Sequence, residues 1–159
     1  MKTLKIDEDK AKELYKTASD EFKQILEDAF GKEVLSFSIC DKVKSYEDAC
    51  AATGTTPHDR LELLKIGLTT KEILLRELET IAGALNEGTA LGIYDSSIRR
   101  WYPVFACNES PASFAFYFSF CVSSNAFAGS GSRLRVLSEE ASDHIGETFV
   151  DVWEKVQLR

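Results

Sequence analysis

In 159 residues there are only two histidines, His58 and His144, and four cysteines, Cys40, Cys50, Cys107 and Cys121. Neither histidine has a ligand or nucleophile partner at a defined spacing, and no two cysteines form a C-x-x-C pair. The sequence therefore makes no case for a metal centre, a redox motif or a catalytic dyad, and no cofactor is expected. No apolar run approaches the roughly 18 residues that a membrane span requires. The first residues turn acidic without an apolar leader, so the expected compartment is the cytoplasm, where the thiols should be reduced and act as small buried hydrophobes. A phosphate loop is missing too: Gly129-Ser130-Gly131-Ser132 lacks the Gly-x-x-x-x-Gly-Lys-Ser/Thr pattern and precedes a strand, which reads as a flexible hairpin loop. Basic charge is in deficit, with 19 Lys and Arg against 26 Asp and Glu and a net −7. That balance disfavours nucleic acid and anionic lipid as whole-surface partners. Asp7-Glu8-Asp9 and Asp20-Glu21 fall at helix starts, where negative charge stabilises by about 0.3–1 kcal/mol, and need no metal to explain them.

What is present is a globular composition, 44% apolar and 28% charged, of a length suited to one domain over residues 1–159. Residues 1–90 read as mainly helical. Between 7 and 30, Leu14, Ala18, Phe22, Ile25, Leu26 and Ala29 recur every three or four positions as one apolar stripe, with a break expected near Ala18 and a stop at Gly31. Ser45, followed by Tyr46-Glu47-Asp48, predicts a short capped helix ending at Gly54. Leu61, Leu63, Leu64 and Ile66 suggest a further turn or two. Thr69-x-x-Glu72 is a capping box that opens a helix over 70–86, with Leu74, Leu78, Ile81, Ala82 and Leu85 on one face and Gly83 suggesting a close helix contact.

Past Gly92 the period changes to two. Phe114, Phe116, Phe118 and Phe120 alternate through 113–121, so all four should lie on one buried face, with Phe116 and Phe118 against Leu78, Ile81 or Phe149. Residues 98–107 form the hairpin partner across Asn108-Glu109-Ser110-Pro111. Pro103 has no N–H to donate, so that strand is an edge or is bulged there. Residues 133–137 supply a third strand, and 138–157 a closing helix with the stripe Ala141, Ile145, Phe149, Val152, Trp153 and Val156. The expected fold is α+β, with N-terminal helices and a C-terminal helix packed on one face of a small, about three-stranded, antiparallel sheet spanning 97–137.

Lys44-Ser45-Tyr46-Glu47-Asp48-Ala49-Cys50, Ala84-Leu85-Asn86-Glu87-Gly88, Trp101-Tyr102-Pro103-Val104-Phe105 and Gly131-Ser132-Arg133-Leu134 occur in this order across most of the chain. Together with the closing helix they resemble an uncharacterised family of small proteins of gut Bacteroides-type bacteria and their phages. The resemblance implies a phage or mobile-element origin and brings no activity, cofactor or catalytic residue. Arg135 and Val104 depart from its pattern, since an apolar or Cys residue and a Trp are common at those positions.

One region runs against the acidic balance. Across 97–137 the charged residues are Arg99, Arg100, Arg133 and Arg135 against Glu109 alone, a local +3. If the Phe row faces the helices, Tyr117, Ser119, Arg133 and Arg135 share the other face, joined by Arg99 and Trp101 or by Arg100 and Tyr102. Arginines beside aromatic rings suit an anion, a base or a carboxylate-bearing partner. The expected function is a non-enzymatic binding or accessory protein acting through this face, on a protein partner or a second copy of itself. Two alternatives are a single-stranded nucleic-acid binder with Trp101 and Tyr117 exposed, and an enzyme with a pocket around His144. The competing structural reading pairs these arginines with acidic helices of the same chain.

Overall fold

In the computed structural model, residues 6–35, 38–89, 95, 97–107, 113–123 and 132–158 are described. The expected turn at 108–111 and most of the Gly-Ser loop lie outside them. The chain divides into two compact units, Met1–Asp41 and Lys42–Arg159.

In the first unit the Asp7 carboxylate accepts the Lys10 N–H at 2.8 Å and starts α1, Glu8–Thr17. The chain is extended at Ala18 and Ser19, then forms α2, Asp20–Phe30. The expected break is therefore real, and Gly31 ends α2 at a positive φ. The break also shifts the helical phase, so the stripe does not run on through both helices. Ala11, Leu26 and Leu35 form the core with Ile6, Leu14, Tyr15 and Phe30 around them, while Phe22 and Ile25 stay exposed. The Tyr15 hydroxyl donates to Glu27 and joins the two helices. Two short helices follow, α3 at Lys32–Leu35 and α4 at Ile39–Lys42.

In the second unit, the helix starts read at Ser45 and Thr69 have their caps, and Asp59 supplies a further one. Ser45 accepts from the Asp48 N–H to begin α5, Tyr46–Thr53, and Asp59 accepts from the Leu61 N–H to begin α6, Arg60–Lys65. Thr69 and Glu72 exchange both bonds of the capping box at the head of α7, Thr70–Leu85. Such caps contribute about 1 kcal/mol each by satisfying orphan donors. α7 is the central element, touching α5, α6, α8 and α9, with Ile73, Leu74, Leu78, Ile81 and Leu85 buried. Gly83 marks no close contact: a Cβ there would meet nothing within 4 Å.

Strands β1, Arg99–Ala106, and β2, Ala115–Ser123, pair antiparallel. The third strand is reduced to one bridge, in which Trp101 and Val136 exchange backbone bonds of 2.8 and 2.9 Å on the side of β1 away from β2. Residues Ser132–Leu134 turn instead as a 3-10 helix. On the far side of Val136 the Asn86 side chain acts as a strand would: its amide N–H donates to the Arg135 carbonyl at 3.0 Å and its carbonyl accepts the Leu137 N–H at 2.9 Å. Two groups that an extended ladder would use are thus held by a side chain at the end of α7.

The closing segment is two helices, α8 at Glu139–Thr148 and α9 at Val150–Leu158. They part at Phe149, whose backbone leaves helical geometry, and the Trp153 indole N–H donates to the Ile145 carbonyl at 3.2 Å. A side chain inserted at a helix end is a recognised cause of such a break. α8 packs on both strands. Its contact is very close at Gly146, where a Cβ would lie 2.3 Å from the Phe116 ring and 2.9 Å from Pro103.

Among the described residues no helix is long and apolar enough to cross a membrane.

Candidate functional site

One extra residue decides what the sheet shows to each side. The register runs Val104 opposite Phe118 but Phe105 opposite Phe116, so Tyr117 is a bulge in β2. A bulge reverses the alternation beyond it. Phe116 therefore points at α8, and so does Ser119, whose hydroxyl donates to the buried Ser142 at 2.7 Å. Phe118 and Phe120 turn away and stay 42% and 48% exposed, while Tyr117 is 70% exposed. This corrects two expectations: the Phe row does not share one buried face, and Ser119 does not lie on the open one.

The open face gathers only part of the expected arginine set. Tyr102 lies edge-on to Phe120, with ring centroids 5.9 Å apart, and the Arg135 guanidinium sits 5.4 Å from the Tyr102 ring centre. That pairing joins one expected arginine to one expected aromatic. Arg133 stands on the 3-10 turn, 83% exposed, with its guanidinium 3.8 Å from the Glu79 carboxylate of α7. Arg100 shares the parity of Tyr102 but is only 3% exposed. Arg99 is exposed at the start of β1, and Trp101, half-buried, has the opposite parity from Tyr102. Tyr117 stacks edge-on with Phe118 at 5.1 Å.

Beside Arg135 the outer edge of β1 opens into a cleft of about 330 Å³, lined by Tyr102, Pro103, Leu134, Arg135, Trp153, Val156 and Gln157. Its position follows from the strand pattern. Trp101 spends its outward backbone groups on Val136, the chain then leaves through the 3-10 turn, and the next outward position along β1 is Pro103. A proline belongs on such an edge because it has no ladder donor to lose. α9 supplies Trp153, Val156 and Gln157 as the facing wall. The walls are apolar and aromatic with one cation and one amide, the usual make-up of a small recognition pocket.

A second constellation escaped the sequence reading. Glu77, 1% exposed inside the apolar stripe of α7, accepts two bonds from the Arg60 guanidinium at 2.7 and 2.6 Å, and His58 Nε2 lies 3.1 Å from the same carboxylate. A carboxylate only accepts, so Nε2 carries the proton; in the neutral ring Nδ1 then accepts the Tyr46 hydroxyl at 2.8 Å. Burial, and next the neighbouring Cys50, push the Tyr46 phenol up to about 12. The Glu77 bond holds the Arg60 guanidinium above its ordinary value. The network pins the segment before α6 onto α7. Its sequence signal was available: a glutamate between Leu74 and Leu78 in a buried stripe demands a cation.

His144 also has a holding role. Its Nε2 donates to the Val43 carbonyl at 2.6 Å and its Nδ1 accepts from Thr148 at 3.3 Å, which uses both ring nitrogens. Cys40 and Cys50 are buried and Cys121 half-buried, as small hydrophobes would be, but Cys107 is exposed. Among the described residues no three His, Cys, Asp or Glu side chains converge as metal ligands. Comparison of the chain with protein-family models, with curated proteins and with solved structures returned no match.

Proposed function

We propose that this is a non-enzymatic binding protein, and that the cleft on the outer edge of β1 receives an apolar, carboxylate-bearing segment of a protein partner. The observation that carries the reading is Arg135, set over the Tyr102 ring at the mouth of a cleft whose other walls are Pro103, Leu134, Trp153 and Val156. A guanidinium already packed on an aromatic ring loses little freedom when it binds a carboxylate, and its fork matches both oxygens. The acidic remainder of the chain repels nonspecific polyanions, so selection falls on short segments that combine one carboxylate with apolar side chains.

The test is a titration of the labelled protein, followed by NMR, with a blocked acidic-aromatic tetrapeptide and its amide analogue. Resonances of Tyr102, Arg135 and Trp153 should move with the acid and hardly move with the amide. Arg135→Ala should weaken binding by about tenfold or more, the equivalent of one charge-assisted hydrogen bond. Equal response to acid and amide, or an unchanged affinity in Arg135→Ala, refutes the reading. A short oligothymidylate that binds more tightly than the peptide and shifts Tyr117, Phe118 and Phe120 would favour single-stranded nucleic acid on the exposed aromatics instead.

A further inference from the structure

The opposite edge of the sheet poses a separate question, independent of the cleft. β2 pairs with β1 on one side, and among the described residues no strand pairs with its other side. Exposed edges are commonly guarded by lysine, proline or an inward-pointing charge. The nine residues of β2, Ala-Phe-Tyr-Phe-Ser-Phe-Cys-Val-Ser, contain neither charge nor proline. Only the Tyr117 bulge interrupts them, and beyond it Phe118–Ser123 is a regular stretch with half-exposed phenylalanines on the face away from α8. A two-stranded ribbon is also the least stable form of sheet, and further strands strengthen it.

We infer that β2 is the self-association edge, pairing antiparallel with β2 of a second copy to make a four-stranded sheet. The occupant follows from charge. A two-fold interface sets the same patch of both copies face to face, so any charge on it meets its own kind. In a chain of net −7, a nine-residue stretch without charge is suited to meeting itself. An acidic foreign partner, by contrast, would find no cation there.

The register follows from the ladder. Trp101 turns its backbone groups to Val136, so by alternation those of Tyr102 and of Phe120 opposite it face each other, while those of Ser119, Cys121 and Ser123 face outward. The middle of these three is Cys121, which places the two-fold axis there. The two Cys121 residues then lie directly opposite with Cα atoms about 5.5 Å apart, within the range a disulfide spans. Phe120 of each copy meets Val122 of the other and covers part of its exposed ring.

Sedimentation equilibrium and oxidative cross-linking test this together on the full chain. A reversible dimer is expected, and mild oxidation should trap it in the wild type and in Cys107→Ser but not in Cys121→Ser. Phe120→Lys should keep its circular dichroism spectrum and raise the dimer dissociation constant at least about tenfold, because the lysine enters an apolar interface. Arg135→Ala, altered only at the β1 side, should remain a dimer, so failure of the cleft and failure of this edge are distinguishable. A folded protein that sediments as a monomer throughout would overturn the inference. So would a dimer unaffected by Phe120→Lys, or one cross-linked through Cys107 alone.

Discussion

Glu77 sets two intuitions about salt bridges against each other, and stability measurements can decide between them. The carboxylate is 1% exposed, whereas the Arg60 side chain that grips it with two bonds is more than half exposed. Arg60→Ala leaves a buried carboxylate with only His58 for company. Stranding a buried charge costs about 3–5 kcal/mol, and the lower end applies because water can reach the space Arg60 vacates. Glu77→Leu removes the charge itself. Leu74, Leu78 and Ile81 already make that stripe apolar, and the released Arg60 can extend into solvent, so the loss should stay within about 1 kcal/mol. The double variant should then be no worse than Glu77→Leu alone, which gives a large coupling energy between the two positions. Urea unfolding is the assay: Arg60→Ala should lower the midpoint by about 1 M or more at an unchanged slope, and the other two should move it far less. If Glu77→Leu is as damaging as Arg60→Ala, the charge itself stabilises the fold and the reasoning fails.

Gly146→Ala should cost about 1–3 kcal/mol, read as a lower melting temperature, because its Cβ would enter the Phe116 ring and touch Pro103. Asn86→Ala strips the partners from the Arg135 carbonyl and the Leu137 N–H, and should cost about 1–3 kcal/mol for each group left buried. In that variant the amide exchange of Val136 should accelerate, and peptide binding at the cleft should weaken with it. Tyr46 should titrate near pH 12, followed by ultraviolet absorbance and assigned by comparison with Tyr46→Phe. Its folded value lies above the ordinary 10, so its contribution is complete below pH 10 and is lost as pH rises through 12. Tyr46→Phe should flatten the alkaline limb of the stability profile between those values.

The helices were legible because their signals are local. Ser45 and Thr69 each hold the donor that their spacing names, and the stripe of α7 is buried where its period places it. What failed turned on contacts that a local pattern does not announce. The closing helix divides because the Trp153 indole reaches the Ile145 carbonyl, a bond that an uninterrupted apolar pattern does not announce. The third strand shrinks to a bridge where Pro103, the next outward position of β1, has no N–H to donate and Ser132–Leu134 turn as a 3-10 helix. On the far side of Val136 the groups a further strand would use are held by Asn86, 49 residues before Arg135. Asn86 reads simply as the polar end of a helix until its partners are seen.

The sheet shows most sharply why a site can be half readable. The alternation of Phe114, Phe116, Phe118 and Phe120 is perfect in the sequence, yet the bulge at Tyr117 sends Phe118 and Phe120 to the side opposite Phe116. No residue type at that point demands a bulge. Its cause lies across the ladder and beneath it: Pro103 and Phe116 must both meet Gly146, while Ser119 must reach Ser142. Small residues on α8 at 142 and 146, one turn apart, let the helix approach the sheet closely, and the strand adjusts its phase to fit. The same shift frees Phe120 to stand against Tyr102, on which Arg135 then rests. The charge excess marked the neighbourhood, and Pro103 marked the open edge. The choice of Arg135 over Arg133 depended on packing against a helix two elements further along the chain.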